Sequence, residues 1–288
     1  MQNYLPEEII NFKNITNAYD VYFIDLWGVI HNGVHLFKNA ITVLKELRNL
    51  KKKIILISNA PRSNTTVKQF LKKLNFDLNL IDILVTSGDV TKNYIQKNKN
   101  KTFYHLGPAK DNDLFEGITN IHSDIDKSNE IICTGLVDKI GSNISDYQSH
   151  FENWIAKEKI FVCANPDEVV SRGNQIEFCA GSLAKYYKKL GGGVVYFGKP
   201  YEHIYKFAKL SIETKIGNLI EKKRILAVGD NLKTDICGAQ NFNIASLLIL
   251  NGIYKDFFRK NHLNFDKLLK SNEMESLRIN KFQQELNW

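Results

Sequence analysis

Apolar runs of strand length alternate along this chain with segments whose apolar residues recur at helical spacing. The run "VYFIDL" at 21–26 is followed by Ile41, Leu44, Leu47 and Leu50, which would share one face of a helix. Strands that are apolar throughout are buried on both faces, as in a parallel sheet covered by helices on each side. The alternation therefore predicts an α/β fold with a doubly wound parallel sheet.

The same unit recurs later in the sequence. "KKIILIS" predicts a second strand, and Ser63 is a suitable cap for a helix with an apolar face at Val67, Phe70, Leu71 and Leu74. Further strands of the same sheet are predicted at "IDILVTSG", "GVVYFG", "RILAVGD" and "ASLLIL", with helices at 201–210 and 234–242.

The pattern changes between Gly88 and Gly181, where loops separate "TFYHLG", "EIICTGL" and "IFVCANPD" and an amphipathic stretch runs from Tyr147 to Trp154. This region reads as a second α/β module inserted into the first. We therefore predict a core domain formed by 1–88 and 182–288 and an inserted domain at 89–181. The charged stretch 254–288 is predicted to be helical.

Composition limits the classes of function. The 288 residues carry a net charge of +8, but the lysines are dispersed in short runs without interleaved aromatic residues, so no nucleic-acid partner is expected. The four cysteines form no C-x-x-C pair, which favours a reduced compartment. Acidic residues near the start and the absence of a long apolar run argue against a signal peptide and a membrane span. We expect a soluble, cytoplasmic protein. The sequence leaves open whether it forms a homo-oligomer.

Polar residues stand where four of the predicted strands end. Parallel strands gather such residues at one edge of the sheet. A hydroxyl, backbone N–H groups at a helix start and a lysine suit a phosphate, and a few carboxylates suit Mg²⁺. The candidate residues are Asp25, Ser58, Asn59, Lys199, Asp230 and Asp235.

In order and spacing these motifs resemble those of the haloacid dehalogenase (HAD) superfamily, and most closely its class IIA branch of nucleotidase-like and p-nitrophenylphosphatase-like enzymes. "VTSGD", "ANPD", "AGSLAKYYKKLGG" and "LLILNGI" are similar to landmarks of the class IIA cap and its return to the core. The first motif, D-x-W-G-V-x-x-x-G, resembles that of a subgroup with no assigned substrate. The resemblance implies a Rossmann-like core with an inserted cap of the C2 type.

The resemblance also implies roles for the first and last motifs. Asp25 would be the nucleophile that forms an aspartyl phosphate. Mg²⁺ would be held by the Asp25 and Asp230 carboxylates and the backbone carbonyl of Trp27. Asp235 would act in catalysis by orienting Lys199 or a metal-bound water.

The two middle motifs would bind the phosphoryl group. Ser58 and Lys199 would hold its oxygens by resemblance, and the position of Asn59 at the start of a helix adds backbone N–H donors. The implied reaction is Mg²⁺-dependent hydrolysis of a small phosphorylated metabolite, catalysed by Asp25, Ser58, Lys199 and Asp235.

Trp27 departs from the pattern of the superfamily, whose phosphatases usually carry at this position an aspartic acid that protonates the leaving oxygen. An indole N–H cannot act as that acid. Either the leaving group needs no acid, or His31, a cap residue or the substrate supplies the proton, or the site binds a phosphorylated metabolite without turnover. A dehalogenase is disfavoured because Asp230 and Asp235 would then be idle.

Overall fold

The structure, a computed structural model, describes residues 5–172, 175–261 and 263–288. Its strands are β1 Glu7–Glu8, β2 Val21–Asp25, β3 Lys53–Ser58, β4 Ile83–Thr86, β5 Phe103–Leu106, β6 Ile121–His122, β7 Glu130–Cys133, β8 Ile160–Cys163, β9 Val169–Arg172, β10 Gln175–Phe178, β11 Val194–Tyr196, β12 Ile225–Gly229, β13 Ala245–Ile249 and β14 Lys281–Gln283. Its α-helices are α1 Lys38–Asn49, α2 Asn64–Lys73, α3 Ser87–Lys97, α4 Gln148–Ala156, α5 Ala180–Lys189, α6 Glu202–Ile216, α7 Cys237–Phe242, α8 Lys255–Asn261 and α9 Phe265–Ser271.

The larger sheet has seven strands in the order β1-β14-β13-β12-β2-β3-β4. Strand β2 lies inside the sheet, is fully buried, and is parallel to both neighbours, with Asp25 opposite Ile57 of β3 and Ile24 opposite Val228 of β12. Helices connect these parallel strands, so the predicted α/β fold with a doubly wound sheet is confirmed. The register brings the carboxyl ends of β2, β3 and β12 to the same edge.

The second sheet is also parallel and has five strands in the order β11-β8-β7-β5-β6. The expectation that "GVVYFG" belongs to the first sheet is wrong, because Val194–Tyr196 pairs with Phe161–Cys163 of β8. An apolar run specifies a buried strand but does not specify which open sheet edge it joins. Strands β9 and β10 pair with each other as a separate antiparallel hairpin.

The chain divides into two compact units. The first consists of Met1–Ser58, Leu71–Leu84 and Tyr205–Trp288, and the second of Asn59–Phe70 and Val85–Ile204. The inserted segment predicted at 89–181 falls within the sequence limits of the second unit. The boundaries of the core and inserted domains stay a prediction.

Helical faces follow the predicted spacing with two exceptions, Leu50 of α1 and Phe70 of α2, which is 36% exposed. Helix α1 buries Leu44 and Leu47 completely, whereas Leu50 is the C-terminal cap of the helix and is half exposed. Helix α2 begins after Ser63, whose Oγ accepts a hydrogen bond from the Thr66 N–H, as its predicted capping role requires. A cap satisfies backbone donors that the first helical turn leaves unpaired.

The last 35 residues are only partly helical. Between α9 and the C-terminus the chain returns as β14, which lies between β1 and β13 in the larger sheet. Phe258, Phe265, Leu268 and Phe282 pack in one buried cluster, so this segment is part of the first unit's core. Within the described residues, no helix has both the length and the apolar character needed to cross a membrane.

Candidate active site

Three buried aspartates converge at the carboxyl edge of the larger sheet. Asp25 ends β2, Asp230 follows β12, and Asp235 lies in a π-helical turn, Leu232–Ile236. One carboxylate oxygen from each lies within 4.8 Å of the other two. The residues are only 8%, 7% and 3% exposed, so the cluster is almost fully withdrawn from solvent. Neighbouring parallel strands bring the first two acids together, and the turn after β12 adds the third.

Backbone groups orient these carboxylates. The Ile253 N–H donates to Asp230 Oδ2 at 2.9 Å, and the Asn231 N–H donates to Asp235 Oδ2 at 3.2 Å. Two glycines leave room for the Asp230 carboxylate: a Cβ at Gly28 would lie 2.0 Å from its Oδ2, and one at Gly252 would lie 2.1 Å away. Side chains at either glycine would therefore displace Asp230.

The donor set fits a divalent cation. Three carboxylates this close repel one another in a buried site, and a positive ion relieves that repulsion. Hard cations such as Mg²⁺ and Ca²⁺ prefer oxygen ligands, which is what Asp25, Asp230 and Asp235 supply. The cluster could therefore hold such an ion.

Trp27 lies in the turn that follows β2. The Gly28 N–H donates to the His31 carbonyl at 2.8 Å, and Gly28 and Gly33 have φ of 81° and 86°, a conformation that favours glycine. A Cβ at Gly33 would lie 2.4 Å from Cη2 of Trp27, so the indole packs directly against this glycine. The Trp27 side chain is 39% exposed. The side chain that replaces the usual acid is thus part of the packing of the turn.

His31 is held as a neutral ring. It is 3% exposed, and its Nδ1 accepts a hydrogen bond from the Gly33 N–H at 3.0 Å, which places its proton on Nε2. Its ring meets the Trp27 indole edge-on with centroids 5.3 Å apart. Burial lowers the pKa of His31 from 6.5 to about 4. A ring with this pKa carries no acidic proton at neutral pH.

The predicted phosphate-binding residues fall into different units. Ser58 is the last residue of β3 in the first unit, one position after the partner of Asp25. Asn59 and Lys199 belong to the second unit and are both buried. Both N–H donors of the Asn59 amide are engaged, to Asp167 Oδ1 at 2.8 Å and the Lys199 carbonyl at 3.0 Å. A phosphate contact from Asn59 would therefore come from its backbone N–H.

Sequence reasoning missed three residues that position this machinery. Gly252 and Ile253 lie in "LNGI", which the resemblance identified only as a landmark, although a loop after β13 must lie at the same sheet edge as the loop after β12. Asp167 lies in "ANPD" and receives the Asn59 amide. For Asp167 the available signal was a polar residue following a parallel strand, whereas for Gly252 and Ile253 it was only the position of their loop after β13.

Comparison with known proteins identifies the family. The profile of haloacid dehalogenase-like hydrolases matches residues 22–119, and the HAD-hydrolase-like profile matches residues 196–267. A solved hydrolase of the haloacid dehalogenase-like family from Brucella suis is 32% identical, with 98% of this chain and 100% of that chain covered and a TM-score of 0.83. The chain belongs to this family. The predicted membership of the HAD superfamily and the prediction of a hydrolase are therefore confirmed.

Less similar proteins include two 4-nitrophenylphosphatases. The chain is 26% identical over 271 residues to a 4-nitrophenylphosphatase of Schizosaccharomyces pombe, and the matched region covers 85% of this chain and 88% of that protein. A solved 4-nitrophenylphosphatase from Thermotoga maritima has the same fold, with 18% identity, a TM-score of 0.73 and coverage of 94% and 96%. The similarity to the p-nitrophenylphosphatase branch is thus confirmed. Members of this family generally use a divalent metal, and the aspartate cluster is suited to bind one.

Proposed function

We propose that this chain is a Mg²⁺-dependent phosphatase of a small phosphorylated metabolite. The observation that carries the proposal is the buried cluster of Asp25, Asp230 and Asp235 in a haloacid dehalogenase-like hydrolase. The 4-nitrophenylphosphatase relative supports a phosphoric monoester as the substrate class. The proposal includes a cytoplasmic location and no nucleic-acid partner, and it leaves the oligomeric state open.

The proposed reaction has two displacements at phosphorus. An Asp25 oxygen attacks, the bond between phosphorus and the ester oxygen breaks, and the leaving oxygen takes the bonding electrons and departs as an anion, which is protonated afterwards in water, while an aspartyl phosphate forms. Water then attacks the phosphorus, releases inorganic phosphate and regenerates the Asp25 carboxylate. Two displacements replace one difficult direct hydrolysis, which is the general advantage of covalent catalysis.

Other residues bind and orient. Ser58, Lys199 and the Asn59 backbone N–H hold phosphoryl oxygens in this proposal, and Asp235 orients Lys199 or a water. Asp25, Asp230 and the Trp27 carbonyl would hold Mg²⁺. A bound divalent ion neutralises charge on the transferring phosphoryl group.

Without an acid at position 27, the rate of the proposed reaction depends on how readily the leaving group departs. General acid catalysis typically contributes about 10²- to 10⁴-fold, and Trp27 cannot provide it. His31 is a poor substitute, because its ring is neutral and its Nδ1 already accepts from Gly33. We therefore propose substrates whose leaving oxygen departs without protonation, such as aryl or acyl phosphates.

A series of aryl and alkyl phosphates tests this proposal. With Mg²⁺ present, rates of phosphate release should fall steeply as the pKa of the departing alcohol rises, because uncompensated negative charge builds on that oxygen. Trp27→Asp should flatten the dependence by restoring an acid, and Trp27→Phe, which remains aromatic and non-acidic, should leave it steep. Thermal melts of both variants control for lost packing against Gly33. A flat dependence in the natural protein contradicts the leaving-group argument.

Trp27 also favours a second candidate function. A chain that keeps the metal cluster but lacks the acid could bind a phosphorylated metabolite without turning it over. This alternative predicts Mg²⁺-dependent binding of phosphate analogues and no phosphate release from any member of the series. The same experiment therefore separates the two functions.

A further inference from the structure

Asn59 makes three buried hydrogen bonds that the phosphatase reaction does not by itself require. Its Oδ1 accepts from the Lys199 N–H at 2.7 Å, and its Nδ2 donates to the Lys199 carbonyl at 3.0 Å and to Asp167 Oδ1 at 2.8 Å. Asn59 is 5% exposed and Lys199 is 4% exposed. A single amide thus holds both backbone polar groups of Lys199.

The surroundings of this amide are shaped to admit it. Gly198 has a φ of 123°, and a Cβ there would lie 2.8 Å from Asn59 Oδ1 and 2.6 Å from Pro166 Cδ. Only one orientation of the Asn59 amide matches its partners, because the Lys199 N–H needs an acceptor, whereas the Lys199 carbonyl and the Asp167 carboxylate need donors. Asparagine is therefore the side chain of this size that satisfies all three contacts.

We infer that Asn59 is a positioning residue for Lys199. Holding the peptide groups on both sides of the Lys199 Cα fixes the direction in which its side chain leaves the backbone, so less conformational freedom is lost when the ammonium group binds an anion. Asp167 secures the amide by taking its second N–H. The inference rests on the proposed function, in which Lys199 binds a phosphoryl oxygen.

The segment that carries Asn59 has other anchors within the second unit. The Arg62 Nε donates to Asp111 Oδ1 at 2.9 Å, and Asn64 donates to Asp89 Oδ1 through both its backbone N–H and its Nδ2, each at 3.0 Å. These contacts do not involve Asn59. A substitution at Asn59 should therefore leave the segment in place, and its effect on Lys199 can be measured.

Asn59→Asp is the sharpest substitution. It keeps the size of the side chain and the acceptor for the Lys199 N–H, but it removes both N–H donors and sets a carboxylate against Asp167. Asn64→Asp is the matched control, since it also replaces an amide donor with a carboxylate facing an aspartate, here Asp89, without touching Lys199. Both proteins are first checked for a cooperative thermal melt. If Asn59→Asp does not fold, the smaller and uncharged Asn59→Ser replaces it.

The readout is the affinity for inorganic phosphate in the presence of Mg²⁺, measured by calorimetry on the full chain. We expect Asn59→Asp to weaken binding about tenfold or more, a typical loss when a hydrogen bond to a charged group is misplaced. Asn64→Asp should stay within about twofold of the natural protein, because the backbone N–H of residue 64 still donates to Asp89, the Arg62–Asp111 contact still holds the segment, and all three Asn59 hydrogen bonds are kept.

A double-mutant cycle separates positioning from a structural or direct effect. In a Lys199→Ala background, Asn59→Asp should change phosphate affinity by less than about twofold, because the residue through which it acts is gone. An equal loss in both backgrounds would overturn the inference, as would unchanged affinity of the single variant. If the natural protein neither binds phosphate nor releases it from esters, the proposed function itself fails. If Lys199→Ala binds phosphate as tightly as the natural protein, Lys199 is not the residue through which Asn59 acts, and the inference is overturned while the proposed function stands.

Discussion

The buried, neutral state of His31 predicts a specific loss of stability in acid. Its folded-state pKa is about 4 and its ordinary value is 6.5, so between these values the unfolded chain binds a proton that the folded chain does not. The free energy of unfolding therefore falls as the pH falls through this window. Above pH 6.5 the ring is neutral in both states, and the contribution vanishes.

The size of the effect follows from the shift. One pKa unit corresponds to about 1.4 kcal/mol, so His31 should remove about 2 kcal/mol between pH 8 and pH 5 and about 3 kcal/mol by pH 4. The ring is 3% exposed, so little of this should be lost to solvent screening. His31→Asn is a suitable comparison, because its Oδ1 can replace Nδ1 as acceptor for the Gly33 N–H but cannot be protonated in this range.

Urea unfolding of the metal-free protein from pH 8 to pH 4 measures the difference. Carboxylates titrate in both proteins, so the quantity of interest is the change in unfolding free energy of the natural protein minus that of His31→Asn. We expect this difference to grow by about 2 kcal/mol down to pH 5. Parallel curves for the two proteins would refute the reasoning, since the ring would then accept a proton in the folded state and could serve as an acid.

Three further predictions concern the aspartate cluster. Asp25→Asn should abolish Mg²⁺-dependent phosphate release and leave the melting temperature unchanged or higher, because a buried negative charge is removed; surviving turnover rules out the covalent mechanism. Mg²⁺ at about 100 times its dissociation constant should stabilise the natural protein by about 2.7 kcal/mol, and Asp230→Asn should move this response in a melting assay to much higher Mg²⁺; an unchanged titration removes Asp230 from the ligand set. Gly28→Ala should abolish the stabilisation by Mg²⁺, because its Cβ would displace Asp230. Gly217 also has a positive φ, 72°, but a Cβ there would have nothing within 4 Å, so Gly217→Ala should lower the free energy of unfolding by only about 1 kcal/mol and keep the Mg²⁺ response. The same loss of Mg²⁺ response in both variants would assign it to backbone strain.

The sequence predicts the first sheet well because its strands are buried on both faces. An uninterrupted apolar run such as 21–26 has few alternatives, and β2 follows it to within one residue. The sequence does not predict that β11 joins the second sheet, because pairing depends on which strand edge is open in three dimensions. Strand β14 was missed because "KFQ" is too short and too polar to stand out, and its pairing with β1 and β13 determines its conformation.

In the candidate site, too, some features can be predicted from the sequence and others cannot. Asp25, Asp230 and Asp235 can be identified from sequence because each follows a strand of one parallel sheet, and the structure places their oxygens within 4.8 Å of one another. The contacts that orient them could not be predicted. The Ile253 N–H donates to Asp230, which lies 23 residues earlier in the chain. A backbone N–H is present whatever the side chain, so the residue type at 253 does not reveal the contact.

Trp27 and Gly33 pack against each other in the turn after β2. The indole packs against the Gly33 Cα, where even one added carbon would lie 2.4 Å from the ring, and it meets the His31 ring edge-on. An aspartate at position 27 would leave most of the indole's space empty. The turn therefore combines three features that depend on one another: a glycine without a side chain, an aromatic ring that occupies its place, and a histidine kept neutral beneath that ring. Because neither Trp27 nor His31 can donate a proton at neutral pH, the proposed phosphatase reaction requires a substrate whose leaving oxygen departs without protonation.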